Sequence, residues 1–218
     1  MLKRLGGPML NIIKLALAWL ALVSAQAAFS QAPNTHQSGK EIFDRILQSE
    51  QRGRAMWDLI FKGVQVDDKK LQSNLDESVA AQNELEQLAR TGDAEARYYE
   101  GLYHIHIGLA DAESARQDPS NSAAPVLADR EFKSAAEWLK SLAEQGNPQA
   151  QWQYGELFAN GRGVNKSSSN AIDWWFKAAQ TFLKKSDRED ALTLFDMMRN
   201  ADQSSPRVAQ LQKALFPN

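Results

Sequence analysis

The 218-residue sequence has no cysteine, only three histidines, and no surplus of either charge, with 25 Lys+Arg against 27 Asp+Glu. Without cysteine there is no disulfide framework, no thiolate-bound zinc, no thiol nucleophile and no iron–sulfur cluster. A net charge of −2 gives no basic excess of the kind that binds a phosphate backbone, so nucleic acid is not an expected partner. G-x-S-x-G, P-loop and H-E-x-x-H patterns are missing, so no familiar catalytic motif is present. No segment alternates with period two in the manner of a half-buried strand, which argues against a β-sheet. The length suits one domain, or one array of repeats, with a real core.

What the chain does contain begins with a targeting pattern. Lys3, Arg4 and Lys14 precede the nine apolar residues 15–23 (LALAWLALV), and Ala25-Gln26-Ala27 supplies a small-x-small site. This reads as a secretory signal over 1–27 with cleavage after Ala27. The apolar stretch is shorter than the roughly 18–20 residues of a bilayer-spanning helix, so no stable membrane insertion is expected after cleavage. Removing residues 1–27 takes away three basic and no acidic side chains, leaving 22 against 27, or net −5. The expected product is a mildly acidic periplasmic or secreted protein.

Residues 28–39 (AFSQAPNTHQSG) are polar and aperiodic and read as a flexible leader. Helical spacing follows in Ile42, Ile46, Gly53, Trp57, Ile60, Phe61 and Val64, flanked by Phe43 and Leu47. It resumes after Asp67-Asp68 in Leu71, Leu75, Val79, Leu85 and Leu88. Two long helices over 40–91, paired as an antiparallel hairpin, are expected. Stops and caps then recur: Gly92 before Asp93, Gly146 before Asn147-Pro148, Ser186 with Glu189 as a capping box, and Ser205-Pro206. Ser167-Ser168-Ser169-Asn170 likewise reads as a helix cap. Residues 108–128, rich in Ala, Ser and Asp and holding Pro119 and Pro125, read as a long irregular insertion.

The chain resembles itself. Asp93-Ala94-Glu95-Ala96 aligns with Asn147-Pro148-Gln149-Ala150, Gly101 with Gly155 and His104 with Phe158, all at an offset of 54 residues. Ala135 and Trp138 align with Ala171 and Trp174 at a shorter offset of 36. The second copy, AQWQYGELFANGRGV from Ala150 and AIDWWFKAA from Ala171, resembles the Sel1-like repeat, a relative of the tetratricopeptide repeat. The resemblance covers residues 92–180 and implies an all-α fold, a short α-solenoid of antiparallel helix pairs. It implies structural roles for Ala96, Gly101, Trp138, Ala150, Gly155, Phe158, Gly161, Gly163, Trp174 and Ala178. The first copy departs from the pattern: Glu100 replaces an aliphatic residue, and the insertion replaces the Gly-x-Gly loop. Residues 181–218 read as capping helices.

Candidate chemistry is sparse. His104 and His106, two apart on a helix, point about 200° apart and cannot share a metal. Glu100 and His104, four apart, could, but no third ligand is in register; no metal and no cofactor are expected, and His104 reads as a packed core residue. By the repeat register, Gln149, Trp152, Glu156 and Asn160 form one ridge, and Glu95, Tyr98, Leu102 and Ile105 its counterpart. Tyr98 and Trp152 would line a groove suited to a protein or peptide, since Tyr and Trp give large contact area for little entropy. Trp175 reads as buried. The functional expectation is an exported adaptor or scaffold binding an envelope partner without catalysis. The alternative is a hydrolase using Glu100 and Glu156, or a receptor, acting on cell-wall or peptide fragments.

Overall fold

The computed structural model describes residues 37–217, and every regular element among them is a helix. In chain order these are α1 (Gly39–Phe61), α2 (Asp68–Arg90), α3 (Ala94–Gln117), α4 (Ala123–Glu144), α5 (Pro148–Asn160), α6 (Ser168–Lys184), α7 (Arg188–Ala201) and α8 (Pro206–Leu215). The expected signal over 1–27 and nearly all of the leader lie outside the described residues. Successive helices pack on their neighbours in α1 with α2, α4 with α5, α5 with α6 and α6 with α7, and α8 packs on both α6 and α7. No described helix is long and apolar enough to cross a membrane. The chain divides into two compact units, Met1–Tyr99 and Glu100–Asn218, with the boundary inside α3.

In the first unit α1 starts at Gly39, the last residue of the expected leader. Ser38 accepts from the Glu41 amide and the Glu41 carboxylate accepts from the Ser38 amide, a complete capping box. Gly39 lies against the Ala96 backbone, where a Cβ would come within 2.6 Å of it. The core is Ile42 and Ile46 with Ala81, Leu85 and Ala89. It ends at a buried polar pair in which the Asn74 amide donates to the Ser49 carbonyl at 2.8 Å. Arg45 reaches Glu84 at 3.1 Å and Arg52 reaches Glu77 at 2.7 Å. The apolar stripe expected along all of α1 is covered only in its first half: Trp57 and Ile60 are half-buried, and Phe61 and Val64 are exposed. In α2 only Leu85 of the expected stripe is fully buried; Leu71, Leu75, Val79 and Leu88 are half-buried.

The second unit carries the main core, contributed by Trp175, Phe176 and Phe182 of α6, Leu194 and Met198 of α7, and Leu211 of α8. Its helix ends repeat one device. Gly146, at φ +90°, is followed by Asn147, whose side chain accepts from the Ala150 amide at 2.9 Å, with Pro148 opening α5. Gly92 and Asp93 do the same in the first unit, with Asp93 accepting from Ala96 at 2.7 Å. Ser167 caps α6 by accepting from Asn170.

Two expectations need correction. The box of Ser186 with Glu189 is shifted by one residue: Ser186 takes the left-handed conformation at φ +62°, and Asp187 is the cap, accepting from the Asp190 amide. The irregular insertion over 108–128 is mostly helical, since α3 continues to Gln117 and α4 begins at Ala123, leaving only residues 118–122 between them. The reason lies in the repeat register. Gly161 and Gly163, both at positive φ, end α5 in the second copy, but the residues 54 positions earlier are Ile107 and Leu109. Neither favours the left-handed turn, so α3 runs on to 24 residues where α5 stops at 13.

Candidate functional site

The ridge expected to bind a partner is built on α5 from positions spaced three to four residues apart. Gln149 and Asn160 are exposed, and Trp152 and Glu156 are half-buried. The Trp152 ring meets Phe182 edge-on, with centroids 6.2 Å apart, and its backbone carbonyl accepts from the Trp175 indole at 3.2 Å. The ring is therefore anchored on one side by the core. The Asn160 amide donates to the Glu156 carbonyl at 2.9 Å and its carboxylate at 3.3 Å. Burial raises the Glu156 carboxyl against the opposing pull of Asn160 and Arg162.

The matching ridge on α3 is divided by the unit boundary. Tyr98 belongs to the first unit, half-buried and edge-on to Tyr99 at 5.2 Å, and Tyr99 in turn meets Phe43 at 5.3 Å. Burial, helped by Tyr99, pushes the Tyr98 hydroxyl up to about 12, so it stays a neutral donor. Leu102 and Ile105 are half-buried in the second unit, while Glu95 is exposed in the first.

The packing positions give a sharper picture of the repeat than the sequence did. Ala96, Ala135, Ala150, Ala171 and Ala178 are fully buried. A Cβ on Gly101 would lie 2.7 Å from Leu139, and one on Gly155 would lie 2.6 Å from Trp175. Leu139 and Trp175 are themselves 36 residues apart, so both copies use the same glycine slot. Trp138 and Trp174, expected as structural positions of the repeat, each precede these residues by one and are half-buried. Trp175, expected to be buried, is 3% exposed and occupies the core, while Trp174 meets Tyr154 at 5.3 Å and carries the Lys177 ammonium 3.8 Å over its face. Phe158, half-buried, completes that aromatic group at 5.1 Å from Tyr154. A further equivalence was not anticipated. The Arg97 guanidinium donates to the Ala89 carbonyl at 3.1 Å, and the Gln151 amide donates to the Ala143 carbonyl at 3.0 Å. Both partners obey the offset of 54.

His104 is not a neutral packed ring. Its Nε2 lies 3.4 Å from Glu100 Oε1 on α3, and its Nδ1 lies 2.8 Å from Glu131 Oε2 on α4. Burial alone would lower its pKa, but the hydrogen bonds and charges of Glu100 and Glu131 prevail and push it up to about 9. The hydrogen bond from His104 lowers Glu131, opposed by burial and assisted by Arg130 at 2.9 Å. One oxygen of Glu100, a residue 5% exposed, has no hydrogen-bond partner. An imidazolium held between two carboxylates has no lone pair to accept a proton at neutral pH, so the cluster is a charged clasp between α3 and α4. Glu131 escaped sequence reasoning because it lies 27 residues beyond His104 on another helix. No cluster of three or more metal-ligating side chains with metal-binding geometry occurs among the described residues.

No family model, no curated protein and no solved structure matches this chain.

Proposed function

We propose that this protein is an exported adaptor or scaffold, processed after Ala27 and resident in the periplasm or secreted, that holds a protein or peptide partner on a short Sel1-like solenoid and does no chemistry itself. Successive helices run antiparallel in this reading. The pairing of Arg45 with Glu84 and of Arg52 with Glu77 supports it for α1 and α2, because an advance along one helix meets a retreat along the other. The repeated glycine slots and caps support stacking of like units.

The observation that carries the reading is the α5 ridge: Gln149, Trp152, Glu156 and Asn160 stand along one incompletely covered face above a close-packed core. A half-buried Trp fixed by Phe182 offers a rigid apolar contact with little entropy left to lose, and the polar residues around it supply hydrogen bonds to a peptide. The test is affinity capture from the envelope with the exported protein beside Gln149→Lys/Asn160→Lys and Tyr98→Ala/Trp152→Ala versions, with folding followed by circular dichroism. A partner retained by the native chain and lost from the α5 surface variant supports the reading. Equal capture by all three moves the binding face elsewhere.

A further inference from the structure

The start of α7 repeats the starts of α3 and α5. Gly92, Gly146 and Ser186 all take the left-handed conformation, at φ +102°, +90° and +62°. The next residue is the cap in each case: Asp93 accepts from the Ala96 amide, Asn147 from Ala150 and Asp187 from Asp190. Asp187 lies 40 residues beyond Asn147, and the same offset sets the buried Leu194 and Met198 on Tyr154 and Phe158. The following helices agree, since Leu139 of α4, Trp175 of α6 and Leu211 of α8 are spaced 36 apart and all are buried. The α7 and α8 pair is thus a third copy, in which a serine stands where the other two have glycine.

This copy gives the second unit a second ridge. At the offset of 40, Gln149, Trp152, Glu156 and Asn160 of α5 become Glu189, Leu192, Asp196 and Asn200 of α7. Leu192 is half-buried and the other three are exposed. Trp152 and Leu192 both pack against one core, so an apolar side chain stands second in each ridge with polar groups on either side.

The eight ridge positions hold three carboxylates, Glu156, Glu189 and Asp196, and no cation. Neighbouring cations do not cancel them. Arg199 pairs with Asp196 at 3.0 Å, and Arg188 is turned to the Leu215 carbonyl. Arg162 pulls on Glu156 only from a distance, because its guanidinium is seated over the Phe132 ring, 5.3 Å from the centroid. With Arg162 and Arg199 both counted, an acidic surplus remains. Glu156 also stands apart from the other described glutamates that are buried or half-buried. Glu50, Glu84, Glu86, Glu100, Glu113 and Glu131 each have a cationic group within 3.7 Å, whereas Glu156 accepts only from the Asn160 amide. Wherever else the fold covers a glutamate, it also meets its charge.

We propose that the ridges of α5 and α7 receive a basic segment of a protein partner. An apolar side chain seats at Trp152 and Leu192, and lysine or arginine side chains meet Glu156 and Glu189. This rests on the adaptor reading and names the chemistry of its partner. Lysine and arginine suit the face because their stems cover apolar surface while the charged head reaches a carboxylate. A half-buried carboxylate attracts such a head more strongly than an exposed one, since less water screens it. From Gln149 to Asn160 the ridge runs about 16 Å, which accommodates about five residues of extended chain.

The full chain is panned against a displayed library of random peptides about nine residues long. Beside it stand Glu156→Gln/Glu189→Gln, Glu156→Lys/Glu189→Lys and Gln149→Lys/Asn160→Lys versions, with folding followed by circular dichroism. The native chain is expected to enrich peptides with two or more Lys or Arg around an apolar residue. Their binding should fall about ten-fold on the Gln version and weaken with salt, and the Glu156→Lys/Glu189→Lys version should enrich Asp and Glu instead. Peptides lost from Gln149→Lys/Asn160→Lys that carry no basic preference, or that bind Glu156→Gln/Glu189→Gln as well as the native chain, overturn this inference and leave the α5 ridge as the adaptor face. Finding no peptide sensitive to any of the three versions overturns both.

Discussion

The two repeat copies share their joints and differ in what fills them. In α5, Tyr154 and Phe158 are four residues apart with rings 5.1 Å from each other, and Trp174 joins them. The same two positions in α3 are Glu100 and His104, an ion pair at 3.4 Å completed by Glu131. Aromatic rings gain by burial alone, whereas buried charges lose solvation and recover it only if every lone pair and proton is met. Glu100 leaves one oxygen unmet. One architecture thus tolerates either solution, because the helices are positioned by small residues at Gly101, Gly155 and the buried alanines rather than by the chemistry at their flank.

The largest effect belongs to the glycine that the first copy lacks. Gly163 has φ +67°, and a Cβ there would lie 2.1 Å from the Phe132 carbonyl oxygen. Gly163→Ala should cost about 4 kcal/mol by chemical denaturation, since left-handed strain adds to a clash with backbone that cannot turn aside. Gly101→Ala, which meets only the movable Leu139 side chain, should cost about 2 kcal/mol. Equal losses would mean that the backbone contact at Gly163 is no less yielding than the side-chain contact at Gly101.

Next comes the clasp. Glu131→Ala should cost about 3 kcal/mol by leaving the His104 charge half-compensated, while Glu100→Tyr/His104→Phe/Glu131→Gln, which gives the first copy the second copy's chemistry, should be close to neutral or stabilising. Thermal unfolding of both decides it. A triple variant as damaged as the single one would show that the charges shape α3 and α4 in a way rings cannot.

The clasp also sets a pH window. His104 titrates at about 9 in the folded chain against 6.5 for a free imidazole, so its contribution is complete below 6.5 and is lost as pH rises through 9. Glu131 is shifted the other way, below 4.5, so its contribution is complete above 4.5 and is lost as pH falls through its lowered value. The melting temperature of the native chain relative to His104→Phe should therefore be highest near pH 5–6 and converge toward pH 10. A difference that stays flat between pH 6 and 10 would contradict a charged clasp. The smallest effect is at the caps: Asp93→Ala and Asn147→Ala should each cost about 1 kcal/mol, nearly equal because each accepts one amide hydrogen bond at the same repeat position.

Much of this was readable in advance where a residue has a single physical use. Gly92 with Asp93, Gly146 with Asn147-Pro148, and Gly161 with Gly163 announced their turns because few other residues fit them. The reach of α3 was not readable from composition. Pro125 suggested a break, yet it sits in the first turn of α4, where a missing N–H is harmless. Trp174 and Trp175 are neighbours about 100° apart on one helix, and only the slot above Gly155 decides which goes inward. Ser186 in the left-handed region had no signal beyond the Asp that follows it. On the ridge, the spacing of Gln149, Trp152, Glu156 and Asn160 was legible; the anchoring of Trp152 by Phe182 was not, since it joins helices 30 residues apart.

The adaptor claim rests on the α5 ridge, and it is best tested there in the living cell. A photo-crosslinking residue placed at Gln149, and separately at Asn160, is compared with one at the exposed Lys213 of α8. The account predicts one protein partner crosslinked from both ridge positions and not from Lys213. Absence of any adduct from the ridge, or the same adducts from all three positions, would contradict it.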